Sequence, residues 1–298
     1  MPPAPTDAST SLVSIVTPTL DAVPWLERML ESVAAQRVGR IEHVVIDGGS
    51  TDGTLEILDR HRDRLAHVES GADRGMYDAL DRGFRRTTGE ILCWLNADDE
   101  WLPGTLRTVT RLFREFPDVE WITTGCPAAI DADGGITWCG RIAGFSPRGF
   151  RRGDNLPGRG WAADGFLQQE STFWRRSLWE RAGGRMDTSL RLAGDFELWS
   201  RFMHHATPWC VEAPLGLFRY RPGQLSAERR EAYLAEAEAV FRRDGGRPPW
   251  RAMAALRVGF HRHAPLRLKR LAALLGVHEP RAHLAHVAER NRWVQVWQ

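Results

Sequence analysis

Short apolar runs alternate with longer segments of helical periodicity along most of the chain. The apolar runs are rich in β-branched residues and end at turn-forming residues, which is typical of buried strands. In the longer segments apolar residues recur every three or four positions, as in helices that bury one face. The predicted strands cover residues 12–18, 41–46, 66–69, 91–95, 119–124 and 166–174, and the predicted helices cover residues 25–36, 54–62, 77–87, 103–116, 177–182, 195–204 and 228–243.

The alternation of strands and helices predicts an α/β fold with a mostly parallel central sheet flanked by helices. Residues 128–165 carry many Gly, Pro and Arg residues without clear periodicity, so we expect hairpins and loops there, including a lid that faces an acceptor. Three regions are predicted: a flexible tail at residues 1–11, a catalytic domain at 12–226 and a basic amphipathic helical region at 227–298.

Charge changes this picture only at the C-terminal end. The formal net charge is +2, but residues 241–298 hold twelve Lys or Arg against three Asp or Glu, so the preceding residues are net acidic. Such an excess suggests contact with an anionic partner, either a membrane surface or phosphate. An ordinary solvated face of basic helices explains the same composition, and the sequence leaves both interpretations open.

Compartment is suggested by three features that the sequence lacks. No run of about 18 apolar residues is present, so we expect no transmembrane helix. Residues 1–10 have no apolar segment of the signal-peptide kind. The cysteines form no Cys-x-x-Cys pair, and we interpret Cys93, Cys126, Cys139 and Cys210 as reduced core thiols. We therefore expect a cytoplasmic protein, at most peripheral at the inner face of the membrane.

Acidic motifs follow two of the predicted strands at their carboxyl ends, where open α/β sheets bind ligands. Asp47 begins an Asp-Gly-Gly-Ser turn, and its carboxylate can either accept an N–H of a nucleotide base or cap its own turn. Asp98, in the sequence Asn96-Ala97-Asp98-Asp99, offers an oxygen ligand of the kind preferred by Mg²⁺ or Mn²⁺. The same acids also suit the N-terminus of a following helix.

Further polar motifs lie elsewhere in the chain. Asp195, in a Gly-Asp-Phe-Glu-Leu-Trp sequence, can act as a general base for an acceptor hydroxyl or as a helix N-cap. Asp73 belongs to an Asp-Arg-Gly-Met-Tyr-Asp-Ala sequence that precedes a predicted helix. Gln169 and Glu170 form a polar cluster on a predicted strand. Each motif is also compatible with a purely structural role.

The order of these motifs is more specific than any one of them. A strand ends in Thr-Pro, the next in Asp-Gly-Gly-Ser, and Asp-x-Gly-x-Tyr-Asp-Ala, Asn-x-Asp-Asp and Gly-Asp-x-Glu-Leu-Trp follow. Over residues 12–220 this set resembles the inverting glycosyltransferases of family 2, which have the A-type nucleotide-diphospho-sugar transferase fold. It is most similar to members that build bacterial surface polysaccharides. Processive synthases of the cellulose type match less well, because the chain has no Gln-x-x-Arg-Trp sequence.

The resemblance implies a hexosyltransferase-like enzyme for cell-surface polysaccharide or glycolipid synthesis. It would move a sugar, with inversion, from a nucleotide-diphosphate sugar to a saccharide, lipid-linked or other hydroxyl acceptor. Asp195 is implied as the catalytic base, and Asp98 as the ligand of Mg²⁺ or Mn²⁺. The implied nucleotide-binding residues are Thr17, Pro18, Asp21, Asp47, Asp73 and Asn96. The residues expected at the acceptor, or behind the reacting groups, are Asp99, Gln169, Glu170 and Trp199, with Trp161 as a further acceptor candidate.

Two positions depart from the family pattern, and they bear on which other functions the sequence allows. Asn96 stands where relatives often carry Asp, and Asp21 stands where they often carry Asn. Because Asn96 is uncharged, a catalytically weakened nucleotide-sugar-binding or scaffold protein stays open as an alternative. A nucleotidyltransferase or a NAD-dependent dehydrogenase is disfavoured, because residues 17–21 contain neither Gly nor Lys. Nucleic-acid binding is not expected, since no stacking-rich motif accompanies the basic residues.

Overall fold

A computed structural model describes residues 12–159, 165–275 and 279–297 of the chain. The strands are β1 (Val13–Thr19), β2 (Ile41–Asp47), β3 (His67–Ser70), β4 (Ile91–Trp94), β5 (Glu100–Trp101), β6 (Trp121–Thr124), β7 (Ala128–Ile130), β8 (Ile136–Cys139), β9 (Phe173–Arg175), β10 (Trp209–Val211), β11 (Gly216–Arg219), β12 (Ala282–Val287) and β13 (Arg292–Trp297). The helices are α1 (Val23–Ala34), α2 (Thr54–Arg60), α3 (Met76–Phe84), α4 (Thr105–Glu115), α5 (Pro147–Arg151), α6 (Arg176–Arg181), α7 (Gly194–Phe202), α8 (Leu225–Glu228), α9 (Arg230–Arg243), α10 (Arg251–His263) and α11 (Leu266–Leu274).

A nine-stranded sheet runs through the molecule in the order β13-β12-β10-β6-β9-β4-β1-β2-β3. Strand β1 pairs in parallel with β2 and β4, β2 with β3, and β10 with both β6 and β12. Within this sheet, as far as the described residues form it, the two strands that run antiparallel to their neighbours are β9 and β13. The predicted α/β class with a mostly parallel sheet is therefore confirmed.

Helices cover both faces of this sheet, because side chains alternate between two buried clusters along the strands. On one face Leu26 of α1 and Leu106 of α4 pack against inward residues such as Val13. On the other face lies an aromatic cluster. It is formed by Phe84, Trp94, Trp121, Trp174, Trp179, Trp199 and Phe202.

The C-terminal region does not form the separate helical unit predicted for residues 227–298. Helix α9 packs through Ala237, Val240 and Phe241 into the aromatic side of the core. Residues 282–297 form the β12–β13 hairpin, and β12 joins the central sheet beside β10. The helical prediction was wrong for residues 282–297, because His283 and His286 interrupt the apolar pattern of β12 and Arg residues flank both strands.

One smaller expectation is confirmed and two changed. The hairpin predicted within 128–165 forms between β7 and β8. The strand predicted at 166–174 is confined to β9, and a turn of 3-10 helix at Gln169–Ser171 precedes it. All four cysteines are free, but Cys139 is exposed and so is no core thiol. The tail at residues 1–11 lies outside the described residues.

Candidate active site

Four parallel strands deliver acidic residues to one edge of the sheet. In the order β4-β1-β2-β3, the strands are followed by Asp98, Asp21, Asp47 and Asp73 respectively. Parallel strands end at the same edge, so these residues are neighbours in space although they are distant in sequence. The edge is therefore the place to look for binding chemistry.

The Asp47 carboxylate holds the turn after β2 in place through hydrogen bonds. Its Oδ2 accepts hydrogen bonds from the backbone N–H groups of Gly49 and Ser50, both at 3.0 Å, and from the Ser70 hydroxyl at 2.6 Å. Its Oδ1 accepts the Ser50 hydroxyl. The residue is fully buried, so its carboxylate shapes the loop after β2 and ties it to β3. Direct contact with a base stays a prediction.

Asp21 and Asp73 connect this loop to its neighbours on either side. Asp21 adopts the left-handed conformation (φ 46°), which Asn and Asp tolerate better than most residues. Its Oδ1 accepts the N–H of Thr51 at 2.9 Å, so it ties the turn after β1 to the turn after β2. The Asp73 carboxylate lies so close to Gly48 that a Cβ there would stand 3.0 Å from Oδ2. A side chain at position 48 would therefore crowd both loops.

Strand β1 presents Thr17 and Pro18 as buried residues. The Thr17 hydroxyl is 2.9 Å from Nε2 of His43, and burial lowers the pKa of His43 to about 4, so this ring is neutral at physiological pH. Thr19, two residues further along the strand and so closer to the edge, has a buried hydroxyl without a hydrogen-bond partner among the described residues. The sequence had indicated Thr17, whereas the unsatisfied polar group belongs to Thr19.

Asp98 is held by an arginine that sequence reasoning missed. The Nε of Arg221 lies 2.5 Å from its Oδ2, and the Arg221 guanidinium stacks 4.5 Å from the ring centroid of Trp25. Both charged side chains keep part of their surface open. Trp25 stands in the first turn of α1, so this contact joins the Asp98 loop to the end of β1.

Behind Asp98, a fully buried Arg219 holds the acidic loop together. Its Nε donates to the carbonyl oxygen of Asp98 at 2.7 Å, and its guanidinium pairs with Glu100. Its backbone N–H donates to Oδ1 of Asp99 at 3.0 Å. Burial, together with the nearby charges of Asp98 and Glu170, raises the pKa of Asp99 well above its ordinary value. Asp99 therefore lies inside the protein, behind the exposed edge.

Asn96 faces the 3-10 turn that carries Gln169 and Glu170. Its Nδ2 donates to Oε1 of Gln169 at 2.9 Å and to Asp99 at 3.1 Å. Its Oδ1 and the Oε1 of Glu170 are buried without partners among the described residues. Burial raises the pKa of Glu170 to about 8, so this carboxyl is protonated at neutral pH. Two unsatisfied oxygen atoms thus lie beside the Asp98 loop.

The residues around Asp98 offer oxygen ligands for a hard cation, but the described residues form no cluster of acidic side chains that could hold one. Among residues 12–159, 165–275 and 279–297, no group of three or more His, Cys, Asp or Glu side chains is placed to hold a metal ion. Mg²⁺ commonly takes one or two carboxylates and completes its shell with phosphate oxygens and water. Asp98, with the free Oδ1 of Asn96, fits a site of that kind.

Asp195 lies in the first turn of α7, against Tyr77 of α3, the helix that follows the Asp73 loop. The Tyr77 hydroxyl donates to the carbonyl oxygen of Leu192 at 2.8 Å, and Gly194 packs so tightly on the Tyr77 ring that a Cβ would lie 2.8 Å from it. The same hydroxyl also accepts a long hydrogen bond, at 3.4 Å, from the backbone N–H of Asp195. The motifs that contain Tyr77 and Asp195, more than a hundred residues apart in sequence, are therefore in direct contact.

The burial and the neighbouring charge of Asp195 suit it to accept a proton. Burial, reinforced by the charge of Glu236, raises the pKa of Asp195 from 3.8 to about 6, although hydrogen bonds from backbone N–H groups oppose the rise. Glu236 of α9 accepts the N–H groups of Leu192 at 2.8 Å and Ala193 at 2.9 Å. Nothing in the local sequence marks Glu236 as a partner of Leu192 and Ala193, which lie 44 and 43 positions earlier.

Two neighbours of Asp195 are structural. Glu197 pairs with Arg201 at 2.8 Å and with Arg243 at 3.1 Å, so it points away from the site, as the helical spacing predicts. Trp199 is 2% exposed and stacks on Trp94 with ring centroids 5.5 Å apart. The Trp199 ring therefore belongs to the aromatic core, and its role at the acceptor or behind the reacting groups stays a prediction. Trp161 lies outside the described residues.

Comparison with known proteins agrees with this arrangement of motifs. Residues 14–160 match the sequence pattern of glycosyl transferase family 2. Over these residues, just under half of the chain, the protein matches the family that the order of its motifs predicts. A relative, the PGL/p-HBAD biosynthesis glycosyltransferase of Mycobacterium tuberculosis, is 41% identical over 91 residues, which are 30% of this chain and 36% of that protein. The alignment thus spans little more than a third of that relative.

Solved glycosyltransferases share the fold of this chain. Residues 1–349 of TarS from S. aureus, in complex with UDP-GlcNAc, superpose with a TM-score of 0.61 at 16% identity, covering 89% of this chain and 79% of that one. The mannosyltransferase PcManGT from Pyrobaculum calidifontis, in complex with GDP-Man and Mn²⁺, gives 0.58 at 21% identity with the same coverage. The predicted A-type nucleotide-sugar fold is confirmed.

Proposed function

We propose that this protein transfers a sugar from a nucleotide-diphosphate donor to an acceptor hydroxyl, with inversion, in cell-surface polysaccharide or glycolipid synthesis. The observation that carries the proposal is the packing of Gly194 and Asp195 on Tyr77. It sets a carboxyl with a pKa of about 6 beside Tyr77 of α3, the helix that follows the Asp73 loop. Since this carboxyl is ionised at neutral pH, we infer that it faces the strand edge where a nucleotide would bind.

In the proposed reaction, Asp195 takes the proton of the acceptor hydroxyl as that oxygen attacks the anomeric carbon. The bond to the diphosphate breaks on the opposite face of the sugar, so one displacement inverts the configuration. Glu197 cannot serve as a nucleophile for a double displacement, because Arg201 and Arg243 hold it on the far side of α7. Since Glu197 is paired, Asp195 is the carboxyl of this helical turn that can meet an acceptor, which supports inversion over retention.

Departure of the diphosphate requires positive charge at the Asp98 loop. A Mg²⁺ or Mn²⁺ ion held by Asp98 and Asn96 would neutralise the leaving group when bound. The neighbour PcManGT was solved with GDP-Man and Mn²⁺, which supports this choice of ion. Arg221 supplies a further cation at the same carboxylate, with its planar group already oriented by Trp25. Arg221 is therefore placed to meet diphosphate oxygens.

The loops after β1 and β2 would bind the nucleotide. Asp21 and Asp47 hold these loops in shape through hydrogen bonds to backbone N–H groups, and Thr19 offers a free hydroxyl beside them. Asp73 borders the same space next to Gly48. We place this reaction in the cytoplasm, because its donor is a nucleotide sugar and all four cysteines are free thiols.

Asp98→Ala tests the cation assignment. The loss of one charged contact, about 1.5–3 kcal/mol, should weaken Mn²⁺-dependent binding of a nucleoside diphosphate about tenfold or more. Calorimetry with Mn²⁺, and again with a chelator, separates the metal-dependent part. The exposed Asp118→Ala is the matched control and should bind as the unmodified protein does. Equal affinities for both variants in Mn²⁺ would remove Asp98 from the site.

Glu236→Gln tests how α9 sets the proton affinity of the base. The charge of Glu236 raises the pKa of Asp195, so its removal should lower that pKa. The rate rises with pH as Asp195 loses its proton, and the acid limb of kcat/KM should therefore move to lower pH. Gln keeps an oxygen for the N–H groups of Leu192 and Ala193. An unmoved midpoint near pH 6 would show that Glu236 does not act on the base.

A catalytically weakened binding protein is the second candidate. Asp98 is already paired with Arg221, and the described residues offer no acidic cluster, so a nucleotide sugar could bind without a competent metal site. A thermal-shift screen of nucleoside diphosphates with Mn²⁺ would identify the base, because a ligand of the folded state raises stability. The matching sugar donors are then tested for release of free nucleoside diphosphate.

The two candidates differ in the outcome of that assay. Glycosyl transfer predicts metal-dependent turnover, and NMR of the first-formed product should show the anomeric configuration opposite to that of the donor. Donor binding without any turnover, with or without acceptor sugars, would favour the weakened binding protein. Retained configuration in the product would reject the single displacement at Asp195.

A further inference from the structure

Helices α10 and α11 carry an exposed apolar surface that the rest of the fold does not cover. We call the side chains of Trp250, Met253, Leu256, Leu266, Leu268, Leu271, Leu274 and Leu275 the α10–α11 face. They make up eight of the seventeen large hydrophobic residues that are exposed within the described part of the chain. Leu274 is 85% exposed and Leu256 is 72% exposed. Isolated exposed leucines are ordinary, but eight exposed large apolar residues concentrated on two consecutive helices indicate an interaction surface.

The opposite side of α10 is anchored in the protein. Ala254 and Val258 are each 2% exposed, and Arg257 pairs with the buried Asp154. Asp154 in turn pairs with Arg281, the residue directly before strand β12. The helix therefore has a fixed orientation, with its covered side on the core and the α10–α11 face directed outward.

The surrounding charge is of one sign. Residues 245–278 contain seven Lys or Arg and not one Asp or Glu. Arg267 and Lys269 lie on α11 among the exposed leucines. Helices that lie on anionic membranes combine exposed Leu and Trp with a Lys- and Arg-rich surround, and each basic residue near the headgroups adds to the attraction. No helix of the described residues is long and apolar enough to cross a membrane.

We propose that the α10–α11 face binds the surface of an anionic lipid bilayer, with the leucines entering the headgroup boundary and the basic residues contacting lipid phosphates. Trp250, 74% exposed at the start of α10, would lie at the same level, where its ring is amphipathic. A second copy of the chain fits less well, since two such faces would bring their positive charges together. The inference goes beyond the proposed function and does not depend on it.

Co-sedimentation of the full chain with vesicles tests the proposal. Vesicles of phosphatidylcholine mixed with phosphatidylglycerol should retain the protein, vesicles of phosphatidylcholine alone should retain much less, and added salt should weaken the binding. Equal binding to both lipids, or none to either, would overturn the proposal. A self-association that gel filtration detects without vesicles, and that removes the α10–α11 face from solvent, would overturn it too.

Two sets of variants separate the apolar and the charged contributions. The triple change Leu271→Ser, Leu274→Ser and Leu275→Ser should weaken vesicle binding about tenfold or more, because it removes apolar area that would enter the bilayer. The single Ile136→Ser, at a side chain 71% exposed on β8, is the control and should bind normally. Wild-type affinity of the triple variant would exclude the α10–α11 face as the contact.

The charge variant is Arg267→Gln with Lys269→Gln, and its control is Arg62→Gln with Arg64→Gln, an equally spaced pair of exposed arginines far along the chain. Loss of two basic contacts should lower affinity for anionic vesicles about tenfold or more, and the control should not. All variants keep the site residues, so their metal-dependent release of nucleoside diphosphate in the absence of vesicles should be unchanged. Failure of vesicle binding with normal turnover would reject this inference alone.

Discussion

Asp195→Asn should lose turnover by a factor of about 10²–10⁴, the usual contribution of a general base. The amide has nearly the shape of the carboxylate and still accepts the N–H of Phe196, so the first turn of α7 should keep its geometry. It cannot take a proton from an acceptor hydroxyl. The measurement is kcat with the donor identified by the thermal-shift screen, accompanied by calorimetric donor affinity, which should stay unchanged.

The pH dependence of the unmodified enzyme supplies an independent check on the same residue. Asp195 must be ionised to act, and its pKa is raised to about 6. The rate should therefore rise with pH up to about 6 and level off above it, and this limb should vanish in Asp195→Asn. A variant with near wild-type turnover, or one that keeps the same acid limb, would assign the base to another group.

Arg219→Met should destabilise the fold by about 3–5 kcal/mol, the range found when one member of a buried ion pair is removed. Arg219 has no exposed surface and donates to the carbonyl oxygens of Asp98 and Asp131. It also pairs with Glu100, so its loss leaves several buried oxygen atoms without a donor. Chemical denaturation measures the change in the free energy of unfolding.

The control for Arg219→Met is the same substitution at a partly exposed arginine, Arg111. Arg111 pairs with Glu115 one helical turn away on α4, and Arg111→Met should change stability by no more than about 0.5 kcal/mol. If Arg219→Met were as stable as Arg111→Met, the buried network around the Asp98 loop would not contribute to folding. A lowered free energy of unfolding would also explain any loss of activity without a role in chemistry.

The site has two parts of different character. At the Asp98 loop, acids are held by arginines: Asp98 by Arg221, and Glu100 by Arg219. At Asp195, burial and a neighbouring acid raise the proton affinity of a single carboxyl. A leaving diphosphate needs positive charge, and an attacking hydroxyl needs a proton acceptor. The two environments match these two requirements, which is why the geometry favours transfer over binding alone.

Much of the fold could be predicted because its signals are local. Strands β1, β2 and β4 are short, mostly apolar runs, as expected for strands buried on both faces, and the flanking helices show the three-to-four-residue spacing of one buried side. Strand β10 has only three residues, and in β12 two histidines interrupt the apolar pattern within a basic segment, so neither is recognisable from its local sequence. Their pairing depends on partners far along the chain.

The acidic motifs, their order and their positions at strand ends could be read from the amino-acid sequence, because turn and strand preferences act over a few residues. Which carboxyl is exposed, paired or buried depended on contacts between distant segments. Arg221 reaches Asp98 across 123 positions, and Glu236 supports the loop before Asp195 from a helix assigned to another region. Burial and charge are properties of the packed chain, so only the tertiary structure could separate the organising role of Asp47 from the raised proton affinity of Asp195.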